Sequence, residues 1–215
     1  MLKLYLVRHG ETEATRLFRY QGKGDSGLTE QGLCQAKQVA AILRGEPVSH
    51  VFSSDTRRAV ETAKVIAQEY DLTPIQLPSL REVDFGEWEG LTFQEISHKY
   101  PDLVDKWLRD PVDTRPPGGE TLLEMSQRVL ICLDRIAESC TEGVAVVVSH
   151  GGPIRAVLSS CLEGDLGRFL SIPQAPGAVN IIHFEDHCFR VKAFNIDPAR
   201  LKEIEGDYWA FDIGC

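Results

Sequence analysis

Gly143-Val144-Ala145-Val146-Val147-Val148-Ser149-His150-Gly151-Gly152 is the stretch whose reading decides the fold. Its apolar run does not alternate with polar residues, so it predicts a strand buried on both faces of a parallel sheet. The polar Ser149-His150 pair ends it, and the glycines open a helix to about Leu162. The N terminus repeats the pattern: Leu2–Val7 is a short apolar run, Arg8-His9 comes next, and Gly10 breaks it.

Between these anchors strands and helices alternate. Thr29 is read as the cap of a helix to about Arg44, with Leu33, Ala36, Ala40 and Leu43 on its apolar stripe. A strand is expected near Val48–Ser53, and then a helix capped by Ser54 or Asp55 that buries Ala59, Ala63, Ile66 and Tyr70. A brief strand near Ile75–Leu77 comes next, and two short helical pieces between Thr92 and Arg109 precede the proline-rich break at Pro111–Pro117. Gly119 and Glu120 open a long helix to about Ser139. Val179–Phe184 and Phe189–Phe194 predict a hairpin turning at Glu185–Asp186. The expected fold is a single α/β domain over residues 1–215: a three-layer α/β/α sandwich with a mainly parallel sheet and a small helical insertion near 90–117.

In such sheets ligands bind beyond the carboxyl ends of the strands. His9 and His150 both fall there. Either histidine alone is also compatible with a surface turn, but two placed alike on one sheet edge point to a shared site. Arg8 argues against a metal between them, since a guanidinium repels a cation and its fork matches phosphate or carboxylate oxygens. Gly10 is read as letting a ligand approach the backbone, and the helix start at Gly151 as offering N–H groups to an anion. Arg57 and Arg58 lie near a helix N-terminus, where cations are unfavourable unless an anion is present. One of the two is expected to face a ligand, and Arg57 is taken as the solvated one.

Bulk composition fits this reading. The chain has 215 residues, 43% hydrophobic and 26% charged, in the range of a globular domain. A net charge of −9 disfavours nucleic-acid binding, which needs a basic face. No segment approaches the about 18 apolar residues that span a bilayer, and no signal peptide is read, so a cytoplasmic location without membrane attachment is expected. The six cysteines are scattered and read as small buried hydrophobes in a reduced protein. Trp88, Trp107 and Trp209 read as packing anchors, and His183-Phe184-Glu185-Asp186-His187 as a hairpin turn rather than a metal tract. The tail from about Ile196 to Cys215 is a candidate lid. Oligomeric state is left open.

The ordered motifs resemble the histidine phosphatase superfamily in its phosphoglycerate mutase-like branch. They are Leu6-Val7-Arg8-His9-Gly10-Glu11-Thr12, Gln21-Gly22, Leu28-Thr29-Glu30-Gln31-Gly32, Ser53-Ser54-Asp55 with Arg58-Ala59, Leu80-Arg81-Glu82 before Phe85-Gly86-Glu87-Trp88, Gly118-Gly119-Glu120, and Val148-Ser149-His150-Gly151-Gly152. The resemblance implies that His9 becomes phosphohistidine, that Arg8 and Arg58 clamp the phosphoryl oxygens, and that His150 completes the pocket. Glu82 matches the proton donor and acceptor. Thr15 stands where the family usually has asparagine, and Gln21 and Gly22 match a substrate-side loop. The implied substrate is a small phosphate ester, and no metal or other cofactor is expected. The short span after Glu82 is similar to broad-specificity and α-ribazole phosphatases, so hydrolysis, including that of α-ribazole-5'-phosphate, is favoured. The alternatives are a cofactor-dependent phosphoglycerate mutase and a catalytically weak phosphate-binding regulatory module.

Overall fold

The computed structural model describes residues 1–24, 26–140, 142–162 and 164–199. β1 (Leu2–Arg8) and β4 (Gly143–Ser149) pair in parallel at the centre of one six-stranded sheet. β2 (Val48–Ser53) lies on the other side of β4, with the two-residue β3 (Ile75–Gln76) at that edge; β5 (Val179–Glu185) and β6 (Cys188–Ile196) continue antiparallel beyond β1. The order is β3-β2-β4-β1-β5-β6. The hairpin turns at Asp186–His187, both in the left-handed region, one residue later than expected.

The central strands are apolar throughout because both faces are covered. Leu2, Leu4 and Leu6 of β1, with Ala145 and Val147 of β4, pack against α6 (Leu122–Ser139) and α7 (Gly151–Leu162). Tyr5, Val7, Val144, Val146 and Val148 point the other way, against α2 (Glu30–Leu43) and α3 (Arg57–Gln68). Successive residues alternate between the layers, which is the period-two geometry of a strand. The insertion has its own core: Trp88 and Trp107 meet edge to face at 5.9 Å, with Ile96 of α4 (Phe93–Lys99) and Val104 of α5 (Pro101–Arg109).

Several local expectations change. The cap of α3 is Thr56, without a side-chain cap bond, because Ser54 and Asp55 are engaged elsewhere: Ser54 with His150, and Asp55 in an ion pair with Arg81 at 2.6 Å. On α2 the buried face runs through Gly32, Ala36, Val39, Ala40 and Leu43, leaving Leu33 40% exposed. Cys132 and Cys140 are buried, but Cys34 and Cys188 are exposed. Trp209, Cys215 and most of the candidate lid lie outside the described residues.

Candidate active site

The parallel register assembles the site. Arg8 stands opposite Ser149, and Ser53 opposite Val148, so three neighbouring strands end at the same level. The chain leaves them through His9, His150 and Ser54. The N–H of His9 donates to the Ser149 carbonyl at 2.9 Å, and that of Ser54 to the Val148 carbonyl at 2.9 Å. The imidazoles of His9 and His150 meet at a steep angle with centroids 5.0 Å apart.

His9 Nδ1 lies 2.8 Å from the Gly10 carbonyl oxygen. A carbonyl only accepts, so Nδ1 carries the hydrogen and the lone pair of a neutral ring is on Nε2. Burial, then the charges of Arg58 and Arg8, hold His9 well below the ordinary histidine value, against a smaller opposing effect of the Gly10 bond. His150 is lowered in the same sense by burial and then by Arg58, His9 and Arg8. Both rings are therefore held neutral at neutral pH.

Gly10 serves a different neighbour from the one expected. A Cβ there would stand 2.3 Å from the Gly32 carbonyl oxygen, so the missing side chain admits the first turn of α2 rather than a ligand. The Gly10 N–H donates to Thr62 Oγ1 at 3.1 Å, which fixes the loop carrying His9 to α3 as well.

A cavity of about 480 Å³ opens over these strand ends, and Arg8, His9, Thr15, Gln21 and Glu82 line it. Arg58 and His150 do not line it: both are fully buried beside His9. Arg58 donates to the carbonyls of Gly22 and Gly24 at 2.8 Å each and of Gln21 at 3.2 Å, tying the 21–24 loop to the site. Arg57, its neighbour, is exposed and pairs with Glu61 at 2.7 Å. Arg8 donates to the Gln174 carbonyl, and burial brings its guanidinium down to about 10, which leaves it charged at neutral pH. Arg8 Nε and His150 Nδ1 are buried without hydrogen-bond partners among the described residues. Such unsatisfied groups are expensive in an interior, and an anion's oxygens would satisfy them.

Glu82 reaches the start of α7. The Gly152 N–H donates to its two carboxylate oxygens at 3.0 and 3.1 Å, and the Val83 N–H to Oε1 at 3.0 Å. A Cβ on Gly152 would lie 2.1 Å from Glu82 Oε1, so the second glycine of the motif makes room for this carboxylate. Arg128 holds the preceding backbone through the carbonyls of Ser79, Arg81 and Glu82, and is itself paired with Glu120 at 2.6 Å. The Gly118-Gly119-Glu120 motif thus acts on Glu82 through Arg128.

Two expected contact residues are already occupied, and a third lies off the wall. Thr15 Oγ1 donates to the Thr12 carbonyl at 2.9 Å and accepts from the Thr12 N–H at 2.8 Å, closing a capping box on α1 (Glu13–Arg16). Its proton is directed to the backbone of Thr12. The Gly22 N–H donates to the Glu89 carboxylate at 2.9 Å, and Gly22 does not line the cavity. Gly151 is likewise absent from the wall, where Gly152 takes its place.

Sequence reasoning passed over Arg155, Tyr20 and Gln174, all on the cavity wall. Arg155 was findable, since it stands one helical turn after Gly151 and shares its face. Gln174 was not. It comes from an irregular segment and is fixed by Asn180 at 2.8 Å, whose own amide donates to the Leu6 carbonyl at 3.0 Å.

Comparison with known proteins agrees with this architecture. The family model for the histidine phosphatase superfamily (branch 1) matches residues 4–197. Phosphoserine phosphatase 1 of Hydrogenobacter thermophilus is 35% identical over 91% of this chain and 93% of its own. A Yersinia pestis protein described as a probable phosphoglycerate mutase is 36% identical over 75% of each. The solved α-ribazole phosphatase of Shigella flexneri superposes with a TM-score of 0.83 at 25% identity, over 91% of this chain and 96% of that one. With matched strand ends, paired histidines and this coverage, the chain belongs to the histidine phosphatase superfamily, branch 1, and is an enzyme of the phosphatase type.

Proposed function

We propose that the enzyme hydrolyses small phosphomonoesters through a phosphohistidine on His9. The observation that carries this reading is the Nδ1 bond to the Gly10 carbonyl, which leaves Nε2 as the nucleophilic nitrogen of a buried, neutral ring flanked by cations. In the first step the Nε2 lone pair forms a bond to phosphorus and the ester P–O bond breaks. The leaving oxygen takes the proton of the Glu82 carboxyl group. Nδ1 keeps its hydrogen and its bond to Gly10, so the imidazolium product is stabilised where it forms.

In the second step water attacks phosphorus, Glu82 accepts its proton, and the P–N bond returns its electron pair to Nε2. Charge on the equatorial oxygens is met by Arg8 on the cavity wall and by the field of Arg58 and the His150 Nδ1 edge, buried beside His9. Thr15 becomes a contact when a ligand draws its hydroxyl from Thr12; Gln21 shapes the wall, and Gly22 and Gly151 are proposed to act from behind it by setting the 21–24 loop and the start of α7.

Hydrolysis is favoured over isomerisation because a mutase must keep water from its phosphohistidine, whereas Phe18, on the wall of this cavity, is 84% exposed. The test is phosphate release from p-nitrophenyl phosphate and a panel including α-ribazole-5'-phosphate and phosphoserine, beside 3-phosphoglycerate to 2-phosphoglycerate conversion with and without 2,3-bisphosphoglycerate. Hydrolysis exceeding isomerisation is expected, with activity surviving EDTA. Isomerisation that dominates and needs the bisphosphate would assign a mutase. No turnover of any ester would assign a binding module.

A further inference from the structure

The cavity wall carries more positive charge than the phosphoryl group needs. Its charged residues are Arg8, Arg19 and Arg155, against a single carboxylate, Glu82. Arg19 is occupied by the Gly90 carbonyl at 2.6 Å and Glu95 at 2.9 Å. Arg8 belongs to the phosphoryl site. Arg155 has no such assignment.

Arg155 is held firmly but not neutralised. Its Nε donates to the Ile172 carbonyl at 2.7 Å, and its guanidinium lies 5.8 Å from the centre of the Phe169 ring. Those contacts fix the plane of the fork. Its two terminal amino groups have no hydrogen-bond acceptor among the described residues. Tyr20 lines the same cavity, its ring set edge-on against Phe85 at 4.8 Å, and its hydroxyl too has no hydrogen-bond partner among the described residues. The two groups are close enough for the charge of Arg155 to act on the Tyr20 hydroxyl.

One spot relates this pair to the phosphoryl site. The position of a Cβ on Gly151 lies 3.4 Å from Arg155 Nη1 and 3.5 Å from Arg8 Cζ. Two guanidiniums flank it, and the charge of Arg155 weakens Arg8's hold on its proton, against the opposing effect of Glu82. The remaining wall includes Val83, Phe85, Trp107 and Leu122, which offer an alcohol group little beyond apolar contact.

We propose that Arg155 and the Tyr20 hydroxyl form a second anion site for a carboxylate of the substrate. The preferred substrates are then phosphomonoesters whose alcohol carries a carboxylate a few bonds from the ester oxygen, that is, O-phosphorylated hydroxy and amino acids. A planar carboxylate matches the guanidinium fork with two parallel bonds and still accepts from a phenol. The proposal rests on the hydrolytic reading of the His9 site, with Arg8 taken by the phosphoryl group.

Phosphoserine and phosphoethanolamine differ only by the carboxylate, so their kcat/KM ratio reads this site. A preference for phosphoserine of about tenfold to a hundredfold is expected, the range for a hydrogen-bonded charge. Arg155→Gln should collapse that ratio toward one, Arg155→Lys should retain part of it, and Tyr20→Phe should lower it less. A wild-type ratio near one, or an Arg155→Gln variant that keeps the wild-type ratio, would overturn the proposal. Equal losses on both esters would overturn it too, by assigning Arg155 to the phosphoryl group. p-Nitrophenyl phosphate has no carboxylate and helps separate the two claims: if neither it nor either of the two amine-bearing esters is hydrolysed, the hydrolytic reading fails. The anion site is then judged by calorimetry, where phosphoserine must bind the wild type more tightly than phosphoethanolamine and lose that advantage in Arg155→Gln.

Discussion

Arg57 and Arg58 are adjacent in sequence yet differ in every physical respect. Arg58 is fully buried, bonded to three loop carbonyls and close enough to both histidines to depress them; Arg57 is exposed and paired with Glu61. Neighbours on a helix point about 100° apart, so one α3 cannot present both to the same site. Arg58→Ala should therefore cost about 3 kcal/mol of transition-state stabilisation, the scale of losing an electrostatic donor. Arg57→Ala should leave kcat/KM near wild type. Steady-state kinetics on p-nitrophenyl phosphate checks the pair, and equal losses, or a larger loss at Arg57, would mean that α3 is rotated from this orientation. The histidines and Arg8 were legible in the sequence because they stand where buried apolar strands end, the sheet edge at which ligand sites form. The roles of Gly10 and Gly152 were not, since only the fold shows that Gly32 and Glu82 occupy the space their missing side chains leave.

At the level of elements, the site depends on how tightly α2 docks under the His9 loop. Gly32 in the first turn of α2 would place a Cβ 2.1 Å from the Glu11 carbonyl oxygen, a backbone atom with no rotamer to yield. Gly32→Ala should destabilise the fold by about 1 to 3 kcal/mol, the cost of overpacking, and lower kcat by displacing His9. A urea midpoint equal to wild type would show that the contact is slack. The strands β1 and β4 were readable from their apolar runs, and β2 and the two insertion helices from the order of elements around them. The start of α3 was not, because Ser54, Asp55 and Thr56 are all cap-forming types and the choice is made by distant partners, His150 and Arg81. Leu33 misled for a related reason: one helical face is chosen by what the sheet offers, and propensity carries no such information.

Across the whole molecule, two neutral histidines buried in a cationic site link stability to pH. Their folded values lie well below 6.5, so below about pH 6.5 the unfolded chain binds more protons than the folded one. The stabilising contribution is full above that pH and is lost as pH falls toward the folded values. For two such groups the slope approaches about 2.7 kcal/mol per pH unit. His183, half-buried and lowered mainly by burial, adds a smaller share in the same direction. The depressed carboxylates Asp55, Glu46 and Glu61 act lower, as pH falls below their ordinary values near 4. Urea midpoints should therefore drop between about pH 6.5 and 5.5. A flat profile there would mean that the imidazoles are already charged in the folded enzyme. The three-layer architecture was legible from alternation of apolar strands and amphipathic helices, whereas the antiparallel placement of β5 beside β1 required the fold itself.

The covalent role of His9 is tested most directly by trapping the enzyme during turnover of a phosphomonoester and mapping the modification. Rapid quenching in base and then peptide mass analysis should find one phosphoryl group on the peptide containing His9, stable in base and lost in acid, and none in His9→Ala. A phosphoryl group on another residue, or undiminished labelling of His9→Ala, would contradict the assignment of His9 as the nucleophile.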